Sequence, residues 1–197
     1  MKDHSQSVLK AVEKKKKGNR FILGVDGLSR SGKTTFTESL CESLKKQDIA
    51  HAVFHIDDYI VEKERRYGTG RDEWFEYYFL QWDLHKIRHE FFEKLLLAKE
   101  FTLRYYDQSE DSHTLKPIEL PEECFIIVEG VFLQRQEWRD FFDYVVFLDC
   151  PQKSRFHREN KETQKKLKKF QDRYWKAEDF YMKAVSPRQK ADMVLRV

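Results

Sequence analysis

No stretch of the chain approaches the roughly 18 consecutive apolar residues that a membrane-spanning helix requires, so no helical membrane span is expected. Cysteine is scarce. Cys41, Cys124 and Cys150 stand apart in apolar surroundings with no C-x-x-C spacing, which argues against a zinc or redox pair and predicts buried, reduced thiols. A surplus of one charge sign is also missing, with 37 basic against 34 acidic groups and a formal charge of +3. That balance does not demand nucleic acid as a partner. The opening residues MKDHSQSVLKAVEKKKKGN hold no apolar core of the signal-peptide kind, and with an odd cysteine count the expected location is the cytoplasm. No internal repeat is evident.

What is present suits a single domain with a substantial core. Of 197 residues, 40% are apolar, 36% charged and 15% aromatic, enough for one domain over 1–197 with a large aromatic core and a highly charged surface. An opening helix over 5–17 buries Val8, Leu9 and Val12 and ends at Gly18-Asn19, with Lys14–Lys17 read as a solvated helix end rather than an anionic-surface contact. Residues 20–25 (RFILGV) form a buried strand stopped by Asp26-Gly27, and a helix follows from Gly32 to about Lys46. Further strands are expected at 50–56, 101–106, 124–130, 144–149 and 192–197, the last also buried. Helical regions are expected at 72–99 and 154–184, with a loop or hairpin over 107–123. Strands alternating with helices imply an α/β fold with a parallel sheet covered on both faces.

The sharpest signal is Gly27-Leu28-Ser29-Arg30-Ser31-Gly32-Lys33-Thr34, a G-x-x-x-x-G-K-[ST] pattern between a strand and a helix on which Phe36, Leu40 and Leu44 recur. Glycines let backbone N–H groups converge on phosphate oxygens at the positive end of the helix. Lys33 would reach the outer phosphates and Thr34 would place its hydroxyl on Mg²⁺. The loop alone leaves open whether a nucleotide is hydrolysed, used as phosphoryl donor or merely sensed. Two acidic positions bear on that choice. Asp57 and Asp58 close the second strand where parallel α/β sheets aim groups into the ligand crevice, although a solvated turn or helix cap would look the same. Glu129 ends an Ile-Ile-Val strand, where a carboxylate is costly unless it meets a metal-bound water, a lysine or backbone donors.

At this point the chain resembles the uridine kinase-like branch of the P-loop kinases, which includes phosphoribulokinase and related nucleoside and vitamin kinases, over nearly all of residues 20–197. The resemblance rests on GLSRSGKTTF, FHIDDY, FIIVEGVFL, DYVVFLDCPQKSRFHRE and the closing KADMVLRV. It implies a three-layer P-loop fold with a mostly parallel five-stranded sheet, an acceptor-binding region near 57–123 and a helical lid near 151–175. It implies ATP or another nucleoside triphosphate held by Gly27, Ser29, Arg30, Ser31, Gly32, Lys33, Thr34 and Thr35. Mg²⁺ would be held through Thr34, Asp58 and Glu129, with Asp57 as general base toward a small-molecule hydroxyl. Arg155 and Arg158 match lid arginines, and their i, i+3 spacing lets both face one ligand, while a salt-bridged exposed helix face is the alternative. Tyr59 and Tyr106 fall at acceptor-pocket positions. Relatives acting on nucleosides carry an acidic residue shortly before a Phe-Asp or Trp-Asp pair; here the pair is Trp82-Asp83 and the earlier position is Tyr77. A phenol can hydrogen-bond or stack but cannot accept from two hydroxyls as a carboxylate does.

Several features have plainer readings. The aromatic run from Trp74 to Phe79, with Trp82, could be a stacking platform, though helix packing explains most of it. Lys165-Lys166-Leu167-Lys168-Lys169 suits a solvated face. His85 and His89 share a helix face without a third ligand. The competing functional classes are a P-loop NTPase acting as a nucleotide-dependent switch or binding module, and a nucleic-acid-associated protein, the latter motivated only by the lysine clusters. Self-association into a homo-oligomer is compatible with the sequence.

Overall fold

The computed structural model describes residues 2–13 and 18–197. The Lys14–Lys17 run lies outside the described residues. Among the described residues seven strands run in chain order: β1 (Arg20–Gly27), β2 (His51–His55), β3 (Glu100–Asp107), β4 (Ser112–Glu119), β5 (Cys124–Gly130), β6 (Tyr144–Asp149) and β7 (Met193–Arg196). Five of them make one sheet in the order β2-β5-β1-β6-β7, every pairing parallel.

Strand period decides which side chains face which layer. On one face Phe21, Leu23 and Val25 of β1, Phe125 and Ile127 of β5, and Val146 and Leu148 of β6 meet helix α2 (Lys33–Lys46) through Phe36, Leu40 and Leu44. Helix α1 (Lys2–Glu13) adds Val8, Leu9 and Val12 to that layer. On the other face Ile22, Ile126, Val128, Val145 and Phe147 pack under Trp82, Phe91, Phe92, Trp138 and Tyr181. Truncating a side chain such as Leu40, which is fully buried, would cost about 2–5 kcal/mol by the usual cavity penalty.

The hairpin reading of 107–123 holds in a longer form: β3 and β4 pair antiparallel as a separate two-stranded sheet. Pro117 is tolerated in it because its missing N–H removes no bond from a central strand. The two long helical expectations are corrected. Helix Glu73–Phe79 stops, and a new one opens at Leu84 because the Asp83 carboxylate accepts the Lys86 N–H at 3.1 Å. A widened turn at Arg88–Phe92 follows, where the adjacent Phe91 and Phe92 are both buried. The basic region likewise breaks, because the Asn160 side chain accepts the Thr163 N–H at 2.8 Å and caps a fresh turn after helix Gln152–His157. It ends in helix Lys176–Ala184. The closing strand is an edge in which only Leu195 is buried, not the buried strand anticipated. Cys124 and Cys150 are buried as expected, whereas Cys41 is only half-buried.

Candidate active site

The carboxyl ends of β1, β5 and β2 deliver the chemistry to one edge of the sheet, with Glu129 in register beside both Val25 and His55. The tight packing there is visible at two glycines. A Cβ on Gly27 would sit 2.6 Å from Ser31 Oγ, and one on Gly130 would collide with the Ile56 side chain. The loop then turns through Arg30 at φ 61° and Gly32 at φ 95° before α2 begins. Because α2 starts at Lys33 without a side-chain cap, the N–H groups of Lys33, Thr34 and Thr35 have no carbonyl within the helix to bond. They lie at its positive end, suited to an anion.

A cleft of about 590 Å³ opens over this edge. Ser29, Arg30, Gly32, Lys33, Thr34 and Thr35 line it from the loop; Asp57, Glu129 and Arg158 join them. Lys33 Nζ donates to the Leu28 carbonyl at 3.2 Å. Burial presses its pKa below the ordinary lysine value, opposed by the carboxylates of Glu129, Asp57, Asp26 and Glu178. Asp57 is accessible from the cleft, yet protein crowds it closely enough that burial raises its carboxyl above the usual range, with Lys33 pulling the other way and Glu129 and Asp58 adding to the rise. A carboxyl so tuned is a better proton acceptor than a solvated aspartate.

Glu129 Oε1 accepts from Thr34 Oγ1 at 3.1 Å and from His55 Nδ1 at 2.6 Å. Burial works against this carboxylate, but the His55 hydrogen bond and the charge of Lys33 outweigh it and hold its pKa down; the same bond raises His55. The second oxygen, Oε2, is buried without a hydrogen-bond partner. An orphaned anionic oxygen beside a threonine hydroxyl fits the outer shell of a magnesium ion that takes its other ligands from phosphate and water. Among the described residues no three His, Cys, Asp or Glu side chains are grouped to enclose a metal by themselves.

The other positions singled out from the sequence fall outside the cleft lining. Arg155 is the main correction. Its guanidinium is buried and forks onto Glu178, Nη1 to Oε1 and Nη2 to Oε2, both 2.9 Å, so it does not face the ligand side with Arg158. Arg158 Nη1 instead donates to the Arg30 carbonyl at 3.0 Å, and Arg30 pairs with Glu159 at 2.9 Å. Tyr59 is buried against Phe91 and Tyr105, donating to the Tyr105 hydroxyl at 3.3 Å. Tyr106 donates to Asp111 and accepts from Arg66. Asp58 sits half-buried, and burial raises its carboxyl above the usual range against the charges of His55 and Lys116. Tyr77 is buried edge-on to Phe132 and Tyr174, and its hydroxyl comes within 3.5 Å of Ser29 Oγ. Gly27 and Ser31 shape the loop from within.

Three groups escaped the sequence reading. Glu178 had a signal, an acidic residue on the buried Ala177/Tyr181 stripe of its helix. Asp26, fully buried, accepts from Gly27 N, Leu133 N, Gln134 Nε2 and Tyr181 Oη. Its position on the Ile22/Gly24 face of an otherwise apolar strand was the clue. His55 had none, since only the register of β2 against β5 brings it to Glu129.

A five-stranded parallel sheet, layered by helices and carrying a glycine-rich loop between β1 and α2, defines a P-loop nucleoside-triphosphate-binding fold. The model of the phosphoribulokinase / uridine kinase family matches residues 22–197, and the chain belongs to that family. A solved structure described as a possible uridine kinase from Bacillus stearothermophilus is similar at 44% identity, covering 98% of this chain and 97% of the other, with a TM-score of 0.87. The uridine kinases of Staphylococcus epidermidis and Streptococcus gordonii are each 28% identical over 132 residues, 65% of this chain. Those matches span 61% and 60% of the respective relatives' lengths.

Proposed function

We propose that the protein transfers the γ-phosphoryl group of a magnesium-bound nucleoside triphosphate, ATP in the first instance, to a hydroxyl of a small nucleoside-like or vitamin-like metabolite. The observation that carries this reading is the meeting of Asp57 and Lys33 in one cleft with the phosphate-loop amides. A switch protein needs the loop; a kinase also needs a carboxylate aimed at the acceptor. In this reading the loop amides and Lys33 bind the phosphates, and Arg158 supplies a guanidinium at the cleft wall. Thr34 and Glu129 would hold magnesium, whose charge would offset that of the transferring group. Asp57 accepts the proton of the acceptor hydroxyl and orients its oxygen. The 57–123 region would carry the acceptor and 151–175 would act as the lid that excludes water.

The family relatives named as uridine kinases make a nucleoside the first acceptor class to test. Tyr77 marks where this chain departs from their pattern, so non-nucleoside alcohols belong in the same panel. Wild-type enzyme is expected to release ADP faster in the presence of one class of hydroxyl metabolite, and Asp57→Asn to lose that stimulation by about a hundredfold or more while binding MgADP nearly as well. Asp57→Asn retaining full transfer would remove Asp57 from the mechanism.

A further inference from the structure

We propose that the buried Arg155–Glu178 ion pair is a clamp that holds the tip of the phosphate loop in its phosphate-binding shape, making both side chains positioning residues. The inference rests on the nucleotide-binding part of the function above. Its basis is a single residue, Ser29, gripped at both its backbone N–H and its carbonyl. The Ser29 N–H donates to Glu178 Oε1 at 3.0 Å, and the Ser29 carbonyl accepts from Arg155 Nη1 at 2.9 Å. The same guanidinium donates through Nε to the Cys150 carbonyl at 3.1 Å, just past the end of β6. Three distant segments are thereby tied: the loop after β1, the stretch from Cys150 into helix Gln152–His157, and helix Lys176–Ala184.

Stability alone does not account for such a pair. Two charges with side chains only 6% and 3% exposed lose their hydration, and well-packed apolar residues of the same volume serve a fold at least as well. Burial raises the Glu178 carboxyl, with Arg155 opposing that rise. What the pair does hold is a loop with something to resist. The residue after Ser29 is Arg30, a non-glycine at φ 61°, a conformation that persists only where the surroundings over-determine it. Ser31 N–H closes a turn onto the Leu28 carbonyl at 3.1 Å, so Ser29 and the strained Arg30 are its two central residues and the clamp grips the one beside the strain. A binding loop that spends only part of its time in the competent shape weakens apparent affinity by that fraction. Removing the clamp therefore shows in nucleotide affinity.

The test separates this from ordinary destabilisation. Arg155→Met with Glu178→Leu replaces the pair by apolar side chains, and is expected to melt near or above the wild type. Its affinity for MgADP, measured by calorimetry without any acceptor, is expected to fall by about tenfold to a hundredfold, the scale of lost charged hydrogen bonds. In hydrogen exchange the Ser29 amide should open faster while the amides of β1 and β5 stay as slow as in the wild type. A stable double variant that binds MgADP within about threefold of wild type overturns the proposal, since a purely structural pair behaves that way. Should the double variant not fold, Glu178→Gln decides. It keeps an acceptor for Ser29 but must turn its amide nitrogen toward Arg155, and an intermediate loss of MgADP affinity with faster Ser29 exchange is expected; unchanged values of both sink the clamp. A wild type that binds MgADP yet phosphorylates no alcohol defeats the proposed reaction and leaves the clamp standing.

Discussion

The two walls of the cleft are built differently. Along the phosphate-loop side the groups that face the ligand are neighbours in sequence, Ser29 to Thr35, and most of what they offer is backbone N–H. The rest of the lining is side chain, and the segment that supplies Phe170 and Tyr174 to it is held by a buried pair between distant parts of the chain, Arg173 with Glu76 at 3.2 Å. Arg173 also lies over the Tyr67 ring at 4.1 Å, while Glu76 accepts both the N–H and hydroxyl of Thr69. The lesson is one of separable duties. The loop side offers its groups by local geometry, whereas the other side rests on a buried pair that truncating Arg173 or Glu76 would leave uncompensated.

That contrast can be broken. Lys33→Ala, on the loop side, is expected to lower turnover on the order of a hundred- to a thousandfold, as removal of a preorganised charge does. Differential scanning should show that loss without a comparable fall in melting temperature. Arg173→Ala, in the segment that carries Phe170 and Tyr174, is expected to cost about 3–5 kcal/mol, because the Glu76 carboxylate would remain buried without its partner. Urea unfolding measures it, and a cost under about 1 kcal/mol would mean that this segment is not held as described. The smallest effect falls at His55, which meets the cleft through its hydrogen bond to Glu129. Its pKa is raised above 6.5 by the Glu129 hydrogen bond, and Glu129 is held below 4.5. The pair therefore stabilises the fold between those unfolded-state values, fading as pH rises through the raised His55 pKa and as it falls through the lowered Glu129 pKa. The His55 side chain is 41% exposed, so solvent limits the effect to about 1 kcal/mol or less. His55→Ala should lower the melting temperature more near about pH 6 than near about pH 9, and an equal drop at both would disprove the coupling.

The same division explains what could be read from the chain. The five sheet strands, the α2 helix and the loop follow from local pattern: an apolar run, a glycine-bearing turn, and Phe36, Leu40 and Leu44 at helical spacing. Asp57 and Glu129 were visible because an acidic residue closing a buried strand is costly without a purpose. Arg155 and Arg158 show where local reasoning ends. Helical spacing predicted a shared face, but the helix stops at His157, and Glu178, 23 residues further on, takes the Arg155 fork. Asn160 and Asp83 broke helices that looked continuous, since a side-chain cap competes with helix extension by margins too small to see in composition. Tyr59 and Tyr106 carried family positions, but the antiparallel β3–β4 ribbon and its contacts decide which way each ring turns.

The central claim is that the loop from Gly27 to Thr34 and the Asp57 carboxylate serve one cleft with distinct tasks. Calorimetric titration of MgADP into wild type, Lys33→Ala and Asp57→Asn tests it most directly. The account expects strong heat in the wild type, nearly the same affinity in Asp57→Asn, and a loss of roughly a hundredfold or more in Lys33→Ala. Equal affinity in all three proteins would contradict it.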